Sequence, residues 1–152
     1  MVQRYTLDID VVICYGLGPI SRSIISQHQL AVALKLGKAF DCDVLAYDPI
    51  FDKDDIEILK ACDVQICTYP IPEIYHDFEV FLFMPHCEAE VYRNLELTDH
   101  YGDTLNRVWI YGNKQSEEDF PDHTIYFEKV PIKYQRDDVF NDCFLFFSCL
   151  KI

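Results

Sequence analysis

Four apolar runs in this chain each stop at a small cluster of glycine or polar residues. Ile13-Cys14 leads into Tyr15-Gly16-Leu17-Gly18, and Val44-Leu45-Ala46 into Tyr47-Asp48-Pro49. Val80 to Met84 leads into Pro85-His86-Cys87, and Val108-Trp109-Ile110 into Tyr111-Gly112-Asn113. Short continuous apolar runs suit strands that are buried on both faces, as parallel strands are. If all four are parallel, their carboxyl ends share one edge of one sheet and the four clusters meet there. Ligands of open α/β sheets bind at that edge.

The segments between the runs fit this plan. A first strand is expected over about Asp10 to Tyr15, followed by Pro19, Ser21 and Ser23, which suit a helix start. Ile24, Gln27, Ala31 and Leu34 recur at helical spacing and are expected to share one face, with Gly37 as a carboxyl-terminal cap. Val44 to Tyr47 reads as the second strand. Asp52 then caps the next helix, with Asp55 in the capping-box position and Phe51 and Ile56 as a hydrophobic staple. Ile56 and Leu59 are expected to face the core. A third strand is expected at about Val64 to Thr68, and Tyr69-Pro70-Ile71-Pro72 suits neither a regular helix interior nor a central strand. Val80 to Met84 reads as a central strand, and Glu88 to Leu97 as a helix with Val91, Tyr92 and Leu95 inward. Val108 to Tyr111 is the fifth strand and Gln115 to Asp122 an acidic loop. Thr124 to Val130 and Val139 to Leu150 read as further strands, paired antiparallel at an edge.

Strand and helix alternate as in a doubly wound, Rossmann-like α/β sheet. Right-handed crossovers limit the topology, and the expected central order is 3-2-1-4-5, with the topological switch between the first and fourth strands. That order sets Gly16-Leu17-Gly18 beside Pro85-His86-Cys87. A chain of 152 residues, without an internal repeat, a low-complexity segment or a linker, is expected to form one domain over 1–152.

Composition narrows the partners. Thirteen basic against 26 acidic residues leave a net charge of -13, which opposes direct nucleic-acid binding and anionic membrane surfaces. No apolar stretch approaches the roughly 20 residues of a membrane helix. Arg4, Asp8 and Asp10 stand where a signal peptide would have its apolar core. Seven cysteines, several inside apolar runs, read as reduced thiols of a cytosolic protein. No Cys-x-x-Cys pair is present to suggest a zinc knuckle.

Several cluster residues have the right chemistry for a ligand. Gly16 and Gly18 suit close approach of a phosphate or ribose after a strand, or a tight turn that binds nothing. The dinucleotide fingerprint is incomplete, because Ser21 replaces its third glycine. Cys14 replaces the acidic residue that methyltransferases usually carry two places before the first glycine. Asp48 could accept hydrogen bonds from ribose hydroxyls, or close an Asp-Pro turn. His86, beside Cys87 and Glu88, reads first as a ligand clamp, then as a structural group, then as a catalytic acid/base, and last as a metal ligand. A metal would need further ligands, and none are spaced for it locally. Pro85 and Cys87 flank the histidine in the same cluster. Asn113 could bond a ligand or its own turn.

At these residues the chain resembles the SRR-like domain family, named for sensitivity to red light reduced. The matching elements are Tyr15-Gly16-Leu17-Gly18 with Ser21, Gln29-Leu30, Tyr47-Asp48-Pro49 with Phe51, Met84-Pro85-His86-Cys87, Tyr92 with Asn94-Leu95, Gly112-Asn113, and Phe140-Asn141-Asp142. Together they run from about Val11 to Phe147. The family often has Ser after the second glycine and Ser-Phe after Gly-Asn. Here Pro19 and Lys114-Gln115 stand in those places, which puts those loop contacts in question. The resemblance implies a cytoplasmic, in some members nuclear, regulatory protein. It also implies roles in circadian-clock regulation and control of heme biosynthesis, and it supplies no established reaction.

Three functions follow as expectations. The first is a regulatory binding module with protein partners, whose sheet edge holds a small ligand, either nucleotide-like or heme. The second is a transferase-like enzyme with His86 as acid/base and Asp48 on the cofactor ribose. The third is a scaffold that binds no ligand. Fold alone does not choose among them.

Overall fold

The computed structural model describes residues 8–67, 78–93, 108–113, 123–128 and 143–150; in the last two segments it describes backbone alone, apart from the Cys143 side chain. Seven strands form one sheet in the order β3-β2-β1-β4-β5-β7-β6. They are β1 (Val11–Tyr15), β2 (Asp43–Tyr47), β3 (Gln65–Ile66), β4 (Val80–Met84), β5 (Val108–Asn113), β6 (His123–Glu128) and β7 (Cys143–Leu150). The first five are parallel in the order 3-2-1-4-5. β7 pairs antiparallel with β5 and with β6, so β7 lies inside and β6 forms the edge. Register aligns Ile13 with Leu45 on one side and with Leu82 on the other. The ends of β1, β2 and β4 are therefore level, and their loops emerge together.

All five side chains of β1 and of β4 are buried, as expected for central strands covered on both faces. Val11, Ile13, Tyr15, Leu82 and Met84 pack with Tyr92 of α3 (Ala89–Arg93) on one face. Val12, Cys14, Phe81 and Phe83 pack on the other with Leu30 and Ala33 of α1 (Ile24–Phe40) and Leu59 of α2 (Lys53–Ala61). Each such fully buried large apolar side chain contributes about 1.5–3 kcal/mol. Burial of the Cys14 thiol raises its pKa, in keeping with its place as a small hydrophobe.

Both helix starts follow the expected chemistry. Ser23 caps α1 and accepts the Ser26 amide. Asp52 caps α2 in a full capping box with Asp55. Two expectations for α1 need correction. Ile24, Gln27 and Ala31 are exposed while Leu34 is half-buried against the core, and the buried residues are Ser26, Gln29, Leu30, Val32, Ala33 and Gly37. Gly37 is interior to the helix and lies against Val44, where a Cβ would collide. Asp41 ends the helix in the left-handed conformation, its amide donating to the Gly37 carbonyl. In α2, Leu59 is fully buried and Ile56 only half-buried, while Phe51 and Ile58 pack against the core. Thr68, Tyr69 to Pro72, Leu95 and the acidic loop Gln115 to Asp122 lie outside the described residues.

Candidate functional site

β1 ends at Tyr15, and the chain turns through Gly16 (φ +71°) and Gly18 (φ +76°). Both angles favour glycine. A Cβ on Gly16 would also stand 2.6 Å from Cys87 Sγ, so this turn and the β4 loop are in close contact. Past the glycines, Pro19 starts a turn whose carbonyl accepts the Arg22 and Ser23 amides. α1 begins only after it, so the helix N-terminus does not follow the glycines directly.

Two amides of this loop have carboxylate acceptors. Gly18 N–H donates to Asp48 Oδ2 at 2.8 Å, and Ser21 N–H donates to Asp55 Oδ1 at 2.7 Å. Asp48 Oδ1 also accepts the Ile50 amide at 3.0 Å, closing a turn of its own. Asp55 Oδ2 accepts the Asp52 amide, and the Arg22 guanidinium pairs with Asp52 at 2.8 Å. Burial works against the Asp55 charge, but bonds from Ser21 and Asp52 and the charge of Arg22 outweigh it and hold the carboxyl below its ordinary value. Carboxylates from the second βα unit thus occupy donors that a phosphate would take in a nucleotide-binding loop.

The β4 loop is held just as firmly. Pro85 is buried, and His86 is exposed with φ +64°, in the left-handed region. The His86 amide donates to Asn113 Oδ1 at 3.2 Å, and Asn113 Nδ2 donates to the Cys87 carbonyl at 2.9 Å. Tyr92 supports Asn113 from below: its hydroxyl donates to the Met84 carbonyl at 2.7 Å and accepts the Asn113 amide at 3.0 Å. The buried Cys87 thiol donates to the Tyr15 carbonyl at 3.2 Å. Burial, with the nearby Asp48 charge and Cys143 adding to it, pushes that thiol up to about 12. Cys87 is therefore a protonated tie between β1 and β4 at neutral pH, not a thiolate.

Between these loops lies a cleft of about 400 Å³. Tyr15, Gly16, Tyr47, Asp48, Pro49, His86, Cys87, Glu88, Glu90 and Val91 line it. Tyr15 and Tyr47 meet edge to face in its wall, with ring centroids 6.3 Å apart. Four residues singled out from sequence, Gly16, Asp48, His86 and Cys87, come together here. The others stand behind the cleft: Gly18 on Asp48, Asn113 under the His86 loop, Pro85 in the interior and Ser21 against Asp55. Two bonds of the Asn113 side chain cross to the β4 loop. Sequence reasoning missed the Tyr15–Tyr47 wall, the Glu90 carboxylate, and Asp55 as the acceptor for Ser21. It placed Tyr92 in the core and missed its role under Asn113. Tyr15 and Tyr47 each end a strand directly before a cluster residue, and that repeated position was the available signal.

A doubly wound sheet with a cleft at its switch point defines the Rossmann-like class of α/β proteins. Within that class the chain belongs to the SRR1 domain family, whose family model matches residues 2–145. It is 30% identical over 109 residues to an SRR1-like protein of Mus musculus, covering 66% of this chain and 43% of that relative. It is 26% identical over 105 residues to Protein SENSITIVITY TO RED LIGHT REDUCED 1 of Arabidopsis thaliana, covering 66% of this chain and 38% of that protein. An SRR1-like protein of Drosophila melanogaster is 23% identical over 154 residues, covering 88% and 53%. The chain thus spans between 38% and 53% of the length of these relatives. No solved structure matches. Among the described residues, no helix is long and apolar enough to cross a membrane.

Proposed function

We propose that the chain is a regulatory binding domain that takes a small ligand in the cleft at the carboxyl ends of β1, β2 and β4. The observation that carries this reading is the convergence of Gly16, Asp48, His86 and Cys87, from three separate loops, on one cavity at the topological switch. Within the reading, His86 is the clamp, Asp48 the polar acceptor, and Cys87 and Asn113 hold the loop. The ligand's nucleotide-like character is confined to a nucleoside portion, since Asp48 and Asp55 already hold the Gly18 and Ser21 amides. A heme ligated by the Cys87 thiolate does not fit a buried thiol that donates to the Tyr15 carbonyl. The broader roles we assign are those that the family resemblance implies: circadian-clock regulation and control of heme biosynthesis, exercised through protein partners in the cytoplasm or nucleus. Their support is membership of the SRR1 domain family and a plant relative named for red-light sensitivity.

A thermal-shift panel of adenosyl methionine, NAD, ATP, adenosine and heme tests the ligand reading. A ligand at a hundred times its dissociation constant adds about 2.7 kcal/mol of stability. His86 sits at positive φ, so His86→Gly removes the side chain without straining the backbone. The reading expects a shift with one panel member that His86→Gly abolishes while its own melting temperature stays near that of the parent. No shift with any member would favour the ligand-free scaffold. The exposure of His86 at the rim, next to Glu88, also favours an acid/base role in a transferase-like reaction. Turnover that disappears in His86→Gly would support that second reading.

A further inference from the structure

We propose that the group recognised in this cleft is a cation, an amine or guanidinium, flanked by aromatic surface. The inference rests on the cleft reading above and names the chemistry of its ligand.

Three observations carry it. First, the cleft has no described lysine or arginine in its lining, whereas Asp48, Glu88 and Glu90 all contribute. An anion placed there would meet carboxylates on the sides formed by the β2 and β4 loops. Second, three backbone amides of the surrounding loops are directed to side-chain acceptors. Gly18 N–H points to Asp48, Ser21 N–H to Asp55 and His86 N–H to Asn113. Asp48 receives two amides, and its charge remains at the cleft wall. Third, the wall between these carboxylates is aromatic. Half-buried Tyr47 lines the cavity and packs edge to face on Tyr15, whose ring is fully buried behind it. Aromatic faces attract cations through the ring quadrupole, most strongly where water is partly excluded. The net charge of -13 acts in the same direction at long range, concentrating cations near the surface.

The size of the cavity suits a compact group more than a folded segment. A free small amine and the side chain of a basic peptide share the recognised chemistry. The probes separate them: agmatine is the free guanidinium, and acetyl-Gly-Arg-Gly-amide presents the same group on a peptide. ATP and adenosine serve as the anionic and neutral comparisons.

Binding to the full chain is measured by calorimetry at low and at moderate salt. The inference expects agmatine or the peptide to bind with one-site stoichiometry and ATP not to bind. Glu88→Gln/Glu90→Gln should weaken that binding by about fivefold, the scale of losing partly exposed ion pairs. Asp54→Asn/Glu57→Gln removes the same formal charge from exposed positions of α2, outside the cleft lining, and should change it less than about twofold. Peptide binding without agmatine binding would assign the cation to a protein partner. Equal weakening by both double variants would mean a diffuse charge effect and would overturn the inference. Adenosine or ATP binding, lost in His86→Gly and unaffected by Glu88→Gln/Glu90→Gln, would also overturn it while leaving the cleft reading intact. Failure of every probe, together with failure of the thermal-shift panel, would remove the cleft reading itself.

Discussion

At the scale of single residues, a few polar groups fix the geometry of the sheet edge. Asp48 holds the glycine turn through Gly18 and its own turn through Ile50. Bonds from amides to a charged acceptor are worth about 1.5–3 kcal/mol. Asp48→Asn replaces that acceptor by an amide with one oxygen, and urea unfolding should show a loss of about 2 kcal/mol. Tyr92 is the second such point. Its hydroxyl is buried between the Met84 carbonyl and the Asn113 amide. Tyr92→Phe leaves both without that partner, and the same measurement should show a loss of about 2 kcal/mol or more. If Tyr92→Phe unfolds like the parent, the Asn113 clamp does not depend on it. Gly16→Ala would combine strain at positive φ with a collision against Cys87 Sγ, so it should be more damaging than an alanine at an exposed helix position.

At the scale of elements, strands were easier to read than helix faces. The runs at β1, β2, β4 and β5 were legible because a strand buried on both faces must be apolar throughout. Right-handed crossovers limit the topology, and the expected order 3-2-1-4-5 is the one observed for the five parallel strands. The α1 face was misread because its buried stripe contains Ser26, Gln29 and Gly37, which do not look like core in a hydrophobic pattern. Gly37 looked like a cap, yet its missing side chain makes room for Val44. The capping box of α2 was legible, but its second use was not. Asp55 caps its own helix and also holds the Ser21 amide across the βα units, a contact 34 residues away in sequence. Only the fold brings those groups together.

Asp55 also predicts a pH dependence. Burial opposes its charge, and bonds from Ser21 and Asp52 more than offset it, so its native pKa lies below the ordinary value. The native state therefore binds fewer protons than the unfolded chain at that site. Its contribution to stability is full above the unfolded pKa and fades as pH falls through the native one. Unfolding measured from neutral pH into the acid range should show Asp55→Asn with a lower plateau and a shallower acid limb than the parent. Parallel curves would mean that folding does not lower the Asp55 pKa.

At the scale of the whole molecule, charge and topology act together. A net charge of -13 makes the folded chain repel itself. Raising sodium chloride from about 20 mM to about 200 mM shortens the screening length severalfold and should raise the melting temperature. A fall would mean that attractive pairs outweigh the repulsion. The topology gathers β1, β2 and β4 so that their loops enclose one cleft. Gly16, Asp48, His86 and Cys87 were legible as its residues because they follow apolar runs. The Tyr15–Tyr47 wall was not, because strand-end tyrosines look like core until the cavity is seen. We propose that the chain binds its ligand in this cleft. Amide NMR of the full chain, titrated in turn with adenosyl methionine, NAD, ATP, adenosine, heme and agmatine, tests it most directly. The account predicts that at least one compound shifts a contiguous set including Gly16, Asp48, His86, Cys87 and Glu88. Saturable shifts that leave those amides unmoved and cluster elsewhere on the fold would contradict it.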